Sequence, residues 1–331
     1  MKIIVLIIFF SCGYVVSGQT GHARMIKLMG ARFDITLVAK DSLTAEQNID
    51  SCVTEIKRIE YLISDWIDTT QVSRVNKNAG IRPVKVDKEV LDLTKRAIKL
   101  SKLTNGAFDI SFAAMEKIWR FDGSMTEMPT PLQVKKAKEK VGYKNIIIDT
   151  INSTIFLKEK GMKIGFGALG EGYAADRCRE MMLKKGIKAG IVNGSGDMNT
   201  WGTQPDGSPW NIGITNPFKK SQLYAVVPLK KASAVVTSGS YEKYAEINGK
   251  RYSHIINPAT GYPATGLISV TVFGPGAEMA NGFSTSIMVL GKDKGLKLLE
   301  QFPEYSCIII TDKGKFFTSK NLNLDQYRIK S

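Results

Sequence analysis

Residues 162–176 read M-K-I-G-F-G-A-L-G-E-G-Y-A-A-D. A short apolar strand is predicted to lead into a glycine turn, after which a helix begins and continues through Asp176. Gly165, Gly167 and Gly170 spell G-x-G-x-x-G, a spacing that brings bare backbone amides to a helix N-terminus. The stretch therefore predicts a site for a phosphate or pyrophosphate group.

A nicotinamide-dependent Rossmann enzyme would explain these glycines, but the neighbouring sequence does not favour one. The acidic residue expected at the end of the next strand is missing. That strand ends in Val192 and Asn193, and Asp197 follows only after two more glycines. Two interpretations remain open: a pyrophosphate site of another kind, or glycines that only let a helix pack closely on a strand.

Helix and strand patterns alternate along the 331-residue chain without a repeat, a low-complexity tract or a linker. The alternation is not a strict βαβ repetition, so it predicts the α+β class, with a mixed sheet as the core and helices on its flanks. Asn248-Gly249 is a strong hairpin signal between two strand patterns. The other main expectations are helices over 43–63, 87–102, 111–120, 131–141, 278–290 and 294–301, and a polar loop over 70–78.

The N-terminus predicts export. Met1-Lys2 precedes an apolar run, Ile3 to Phe10, that is too short to span a bilayer and is typical of a secretory signal. Two processing routes fit: cleavage after Gly18, or acylation of Cys12 as in a bacterial lipoprotein. Either route predicts a protein on the periplasmic side of a bacterial membrane, soluble or lipid-anchored. The predicted division is 1–18 for the signal, or a lipoprotein signal ending before Cys12, and 19–331 for a single domain.

Charge and cysteine content narrow the function classes. The net charge is +15, from 46 basic and 31 acidic residues, which fits either solvated surface lysines or attraction to an anionic ligand or membrane surface. The lysines are scattered and no nucleic-acid motif is present, so nucleic acid is not an expected partner. Cys52, Cys178 and Cys307 form no C-x-x-C pair and are predicted to be buried hydrophobic residues rather than a disulfide framework.

Polar clusters interrupt the apolar pattern at 104–109, 237–241, 252–261 and 281–285. His254 lies in the third cluster, just before a polar loop that contains Asn257 and Thr260. A histidine in that setting can act as general base on a hydroxyl group. A purely structural strand histidine is the alternative that stays open.

The fourth cluster predicts either a metal site or an ordinary polar helix face. Asn281 and Thr285 are four residues apart and project from the same face of the predicted helix, which Glu278 also shares. Oxygen ligands at this spacing can hold Mg²⁺, which takes one or two protein ligands together with phosphates and waters.

Taken in order, these motifs resemble the bacterial flavin transferase family, the ApbE-like FAD:protein FMN transferases. The resemblance covers essentially the whole mature chain. Its most specific parts are S-H-I-I-N-P-x-T-G and the glycine stretch. The matching segments are Met29-Gly30, 64–76, T-x-G-A-F-D at 104–109, the glycine stretch, V-N-G-S-G-D at 192–197, T-S-G-x-Y-E at 237–242, S-H-I-I-N-P-x-T-G at 253–261 and N-x-x-x-T at 281–285.

The resemblance implies an ApbE-like flavin transferase fold and a Mg²⁺-dependent reaction with FAD as substrate. FMN is passed from FAD to a threonine hydroxyl of an acceptor flavoprotein, and AMP is released. The implied acceptors are subunits of membrane redox complexes or flavoprotein domains outside the cytoplasm, so contact with an inner or outer membrane surface is also expected. Two alternatives remain: an FAD pyrophosphatase that gives FMN and AMP, and a flavin-binding protein with little turnover.

The resemblance also implies roles for individual residues. His254 is the expected base, and the carbonyl of Ala168 joins Asn281 and Thr285 on the metal. The expected FAD contacts are Met29, Gly30, Trp66, Ala107, Phe108, Asp109, Gly165, Gly167, Glu171, Thr237, Ser238, Gly239 and Ile255.

Three positions depart from the family pattern. The family usually has Asp where this chain has Asn281, and often has Asp and Lys where this chain has Gly165 and Glu171. An amide oxygen can ligate Mg²⁺ but carries no charge. The hypothesis from the sequence is that Glu278 restores this charge.

Overall fold

The structure is a computed structural model that describes residues 20–115, 118–219, 221–229, 233–241, 243–322 and 328–329. The predicted signal, both of its processing sites and the Glu242 end of one motif lie outside these ranges. No helix in the described ranges is long and apolar enough to cross a membrane.

The described ranges contain a set of α-helices that flank a large sheet. Their bounds are α1 (Ser42–Ile63), α2 (Gln71–Lys77), α3 (Lys88–Leu103), α4 (Pro131–Lys138), α5 (Gly170–Lys184), α6 (Ala277–Leu290) and α7 (Lys292–Leu299). Short 3-10 turns occur at Ile110–Met115 and Tyr143–Asn145.

One loop prediction and one helix prediction were wrong. The polar loop expected over 70–78 contains helix α2. The Thr70 side chain accepts a hydrogen bond from the Ser73 amide and caps this helix, and Val72 and Val75 are buried beneath it. The helix expected over 111–120 is instead the 3-10 turn that ends at Met115.

The strands are β1 (Thr20–Leu28), β2 (Ala31–Ala39), β3 (Val84–Lys85), β4 (Ile146–Asp149), β5 (Thr154–Leu157), β6 (Ala189–Gly194), β7 (Asp197–Trp201), β8 (Trp210–Thr215), β9 (Leu223–Leu229), β10 (Ser233–Gly239), β11 (Tyr244–Ile247), β12 (Lys250–Ser253), β13 (Leu267–Gly274), β14 (Ser306–Thr311), β15 (Phe316–Thr318) and β16 (Arg328–Ile329). The main sheet has eight strands in the order β1-β2-β6-β7-β10-β13-β14-β15. Every pairing in it is antiparallel. The α+β class is confirmed, and the sheet is not the parallel, doubly wound sheet of a Rossmann enzyme.

Helices α1, α5 and α6 cover one face of this sheet. Phe33, Ile35 and Leu37 alternate along β2 and are fully buried, as expected for a strand with one face in the core. The main core continues into α1, where Ile49 and Ile56 are also fully buried. The opposite face is covered by the small sheet of β8 and β9.

The end of the glycine stretch fixes helix α6 in place. The Asp176 carboxylate accepts hydrogen bonds from the backbone amides of Ala277 and Glu278 at 2.8 and 3.0 Å, and from Asn199 Nδ2 at 2.6 Å. A Cβ atom at Gly172 would lie 2.7 Å from the Ala277 carbonyl oxygen, so only glycine allows α5 and α6 to approach this closely. Asp176 and Gly172 therefore set the position of the helix that carries the predicted metal ligands.

The three cysteines within the described ranges are buried, as predicted. Cys52 on α1 and Cys178 on α5 are neighbours, with Cys178 Sγ 3.7 Å from the Cys52 carbonyl oxygen, and Cys307 lies on β14. All three are free thiols.

Candidate active site

A cavity of about 560 Å³ opens beside the glycine turn, within the size range of small-molecule sites. It is lined by residues from distant parts of the sequence: the start of β2, the loop after α1, the glycine turn, the end of β10, the loop after β12 and helix α6. The sequence-predicted residues in its lining are Gly30, Trp66, Ala107, Phe108, Asp109, Gly165, Gly167, Ala168, Glu171, Thr237, Ser238, Gly239, His254, Ile255, Asn281 and Thr285.

The glycine turn combines the two interpretations left open above. Gly165 and Gly167 line the cavity, whereas a Cβ atom at Gly170 would lie 3.0 Å from the side chains of Ile63 and Met29 in the core. The segment before the turn has no regular secondary structure and lies in no sheet, which corrects the predicted strand. It is held instead by the Asn76 side chain, which bonds the Ile164 amide at 2.8 Å and the Ile164 carbonyl at 2.9 Å.

Met29, a predicted FAD contact, does not line the cavity. It adopts a left-handed backbone conformation, with φ of 53°, in the turn between β1 and β2. Its side chain packs against Gly170 instead. Gly30, the next residue, is the part of this pair that faces the cavity.

Trp66 and Asp65 form the part of the lining that follows helix α1. The Trp66 side chain is 78% exposed, so its flat face is available to stack on an aromatic ring. Asp65 was missed in the sequence. Its Oδ2 lies 3.3 Å from the position of a Cβ atom at Gly165, and burial raises the pKa of its carboxyl group. A carboxyl side chain is thus already present beside Gly165.

Asp109 lines the cavity and holds two neighbouring segments together by hydrogen bonds. Its carboxylate accepts hydrogen bonds from the Ser111 amide at 2.8 Å, the Ser111 hydroxyl at 2.6 Å and the Tyr143 amide at 2.7 Å. Burial outweighs these bonds and raises the pKa of the carboxyl group. Asp109 therefore joins the 3-10 turn at Ser111 to the turn at Tyr143 beside the cavity.

The charges around the cavity are mixed. Arg32 and Lys243 contribute cationic side chains to the lining, and Glu171 contributes an anionic one from the first turn of α5. Arg32 Nε also bonds Asp34 at 2.9 Å. Because Glu171 adds negative charge to this lining, the charge of a bound phosphate must be offset by other residues. Lys243 and Arg32, the latter already paired with Asp34, are cationic residues of the lining that can do so.

His254 is held in one orientation by the backbone. Its Nδ1 lies 3.0 Å from the Lys243 carbonyl oxygen, and its own amide donates to the same oxygen at 3.2 Å. Because a carbonyl only accepts, Nδ1 must carry the proton, which leaves Nε2 with a free lone pair. Burial lowers the pKa of His254, so the neutral imidazole is favoured. The ring is thus prepared to accept a proton at Nε2.

Asn281 and Thr285 meet inside the cavity as predicted from their spacing. Thr285 Oγ1 lies 3.4 Å from Asn281 Oδ1, and Ser238 Oγ lies 3.5 Å from Thr285 Oγ1. Two ligands of one octahedral Mg²⁺ ion lie about 3 Å apart, since each is about 2.1 Å from the metal. Within the described residues no group of three His, Cys, Asp or Glu side chains can hold a metal. The oxygens of Asn281 and Thr285 are hard donors that fit Mg²⁺, whose remaining ligands would be phosphate and water.

Glu278 does not reach this pair, which corrects the hypothesis that it restores the missing charge. Its carboxylate bonds Arg96 Nε at 2.7 Å and does not line the cavity. The carboxylate beside Asn281 belongs to Asp197, which accepts a hydrogen bond from Asn281 Nδ2 and lines the cavity. In the sequence Asp197 was noted only as the last residue of the matching segment V-N-G-S-G-D and as lying too far beyond its strand to be the acidic residue of a Rossmann site.

Comparison with known proteins identifies the fold and the family. The profile described as "ApbE family" matches residues 29–309. The chain belongs to the ApbE family. One ApbE relative, the FAD:protein FMN transferase of Salmonella typhimurium, is 30% identical over 280 residues, covering 83% of this chain and 80% of the relative.

Solved ApbE structures superpose on most of the chain. The ApbE protein from Thermotoga maritima matches with a TM-score of 0.84 and 29% identity, over 91% of this chain and 97% of that one. The flavin transferase ApbE from Vibrio cholerae matches with a TM-score of 0.80 and 25% identity, over 92% and 98%. The cavity therefore lies in a complete ApbE-type fold.

Proposed function

We propose that this protein is an FAD:protein FMN transferase, which moves FMN from FAD to a threonine hydroxyl of an acceptor flavoprotein and releases AMP. The observation that carries the proposal is that one cavity contains the glycine turn, the oriented base His254 and the oxygen pair Asn281–Thr285. ApbE relatives that bear the transferase name support it.

In this reaction His254 acts on the attacking hydroxyl. Nε2 accepts the hydroxyl proton of the acceptor threonine. At the same time the threonine oxygen attacks the phosphorus on the FMN side of the pyrophosphate. The new bond joins the threonine oxygen to that phosphorus, the bond from phosphorus to the bridging oxygen breaks, and AMP leaves with the bridging oxygen. The hydrogen bond from Nδ1 to the Lys243 carbonyl stabilises the imidazolium that forms.

The remaining residues position the two substrates. Gly167, Ala168 and Glu171 line the cavity at the N-terminus of α5, where the helix dipole favours an anionic group such as the pyrophosphate. Trp66 offers a stacking surface for an aromatic ring of FAD. Asn281, Thr285 and the Ala168 carbonyl would hold Mg²⁺, which supplies charge neutralisation across the phosphates.

The pH dependence of transfer follows from the pKa of His254. Burial lowers this pKa below its ordinary value of 6.5, so the base is already deprotonated at neutral pH. We expect the first-order rate of transfer to be flat above about pH 7 and to fall by about tenfold per unit well below the pKa of the histidine. Single-turnover kinetics with saturating FAD measure this profile. An acid limb centred above 7 would contradict the assigned environment of His254.

Product analysis separates the proposal from its two alternatives. The protein is incubated with FAD, Mg²⁺ and an apo flavoprotein domain that carries an acceptor threonine, and the flavinylation of the same domain by the Vibrio cholerae ApbE transferase serves as control. Covalent flavin on the acceptor supports transfer. Free FMN without covalent flavin would indicate a pyrophosphatase, and intact FAD over hours would indicate a flavin-binding protein.

The cellular setting is part of the proposal. Residues 1–18 direct export, and the protein acts on the periplasmic side of a bacterial membrane, soluble or anchored through a lipid. The acceptor is a redox subunit or domain exposed on that side. The net charge of +15 supports contact with an anionic membrane surface close to such an acceptor.

A further inference from the structure

The orientation of the Asn281 amide is determined by one neighbour. Its Nδ2 donates to a carboxylate oxygen of Asp197, which begins strand β7 and is buried. An Asn side chain can present either its oxygen or its NH₂ group to a site, because the two differ only by a rotation. With Nδ2 committed to Asp197, Oδ1 is the atom that faces Thr285 at 3.4 Å.

We propose that Asp197 is both the positioning residue and the negative charge of the divalent-cation site in this chain. The inference rests on the proposed function, which places Mg²⁺ at Asn281 and Thr285. The ligand at position 281 is a neutral amide, which brings no charge of its own to the cation. The Asp197 carboxylate lies one hydrogen bond behind that ligand, turns its oxygen toward the cation and supplies charge at short range.

Glu278 is the other carboxylate considered as the source of negative charge for the cation site, and its contacts exclude it from that role. Glu278 lies one helical turn before Asn281, but it forms an ion pair with Arg96 at 2.7 Å outside the cavity lining. The negative charge of Glu278 is therefore already compensated by the Arg96 guanidinium, which Mg²⁺ would have to displace. Asp197, in contrast, lines the cavity and touches the ligand itself.

The test measures Mn²⁺ binding, which reports the site without any turnover. Free Mn²⁺ is titrated by electron paramagnetic resonance against the wild-type chain, Asp197→Asn, Asn281→Asp and the double variant. Asp197→Asn should weaken Mn²⁺ binding by roughly 10–100-fold, the usual cost of losing an outer-shell partner. Asn281→Asp should tighten binding, because it adds a second charge. The double variant exchanges amide and carboxylate and should recover most of the wild-type affinity.

Glu278→Gln is the matched control, because it removes the nearest alternative carboxylate from the same helix. It should leave the Mn²⁺ affinity unchanged. Circular dichroism checks that each variant is folded. If Asp197→Asn is unfolded, the double variant is compared with Asn281→Asp. The double variant should bind Mn²⁺ more weakly than Asn281→Asp and about as tightly as wild type, because it has lost the Asp197 charge.

The outcomes separate this inference from the proposed function. Mn²⁺ binding that is unchanged in folded Asp197→Asn, or a double variant no better than Asp197→Asn, would overturn the inference alone. A wild-type chain that binds no Mn²⁺ would overturn the inference and the proposed metal dependence together.

Discussion

Replacing His254 with Ala is expected to reduce the rate of FMN transfer by about 10²–10⁴-fold, the contribution typical of a general base. The affinity for FAD should change little. The ring is placed to accept the hydroxyl proton, because Nδ1 is engaged by the Lys243 carbonyl while Nε2 is unprotonated. Transfer is measured under single-turnover conditions, and FAD affinity is measured by the change in flavin fluorescence.

His254→Asn is the matched variant for this experiment. Its side-chain NH₂ group can still donate to the Lys243 carbonyl, so the loop keeps its hydrogen bond while the base is lost. Both variants should therefore lose transfer to a similar extent. Near wild-type transfer by His254→Asn would show that the histidine only holds the loop in place.

The second large effect concerns stability. Asp176→Ala is expected to lower the free energy of unfolding by about 3 kcal/mol, because hydrogen bonds to a charged acceptor contribute roughly 1.5–3 kcal/mol and their loss leaves donors unpaired. Asp176 is the common acceptor for two amides at the start of α6 and for Asn199. Urea unfolding followed by circular dichroism gives the value.

Glu180→Ala provides the comparison on the same helix. Glu180 is exposed and pairs with Arg177 at 2.7 Å, so its removal should cost less than about 1 kcal/mol. If the two variants lost equal stability, Asp176 would not be the residue that fixes α6. The same Asp176 variant should weaken Mn²⁺ binding, since α6 carries Asn281 and Thr285.

Sequence reasoning was most accurate where a pattern is long and local. Helix α1 and helix α6 follow from their apolar periodicity, and the hairpin follows from Asn248-Gly249. Helix α2 was missed because seven residues with two buried valines resemble a polar loop. Its cap, the Thr70 hydroxyl, is visible only as a hydrogen bond in the structure.

The candidate site shows the same limit. Periodicity correctly placed Asn281 and Thr285 on one helix face, but it placed Glu278 there as well. Arg96 lies 182 residues away along the chain, and no local pattern could show that it pairs with Glu278. Asp197 and Asp65 were missed as site residues for the related reason that their neighbours in the cavity come from other segments. Long-range contacts, rather than local propensity, decide which polar side chains meet.

In the proposed reaction, the flavin and its phosphate move to the acceptor in the same step that releases AMP. The most direct test counts both products: AMP by chromatography, and FMN on the acceptor by intact-protein mass spectrometry, with an acceptor Thr→Val variant as control. We expect one AMP for each acceptor molecule that gains FMN, and neither product at an appreciable rate with the Thr→Val acceptor. AMP release with free FMN and an acceptor of unchanged mass would contradict it.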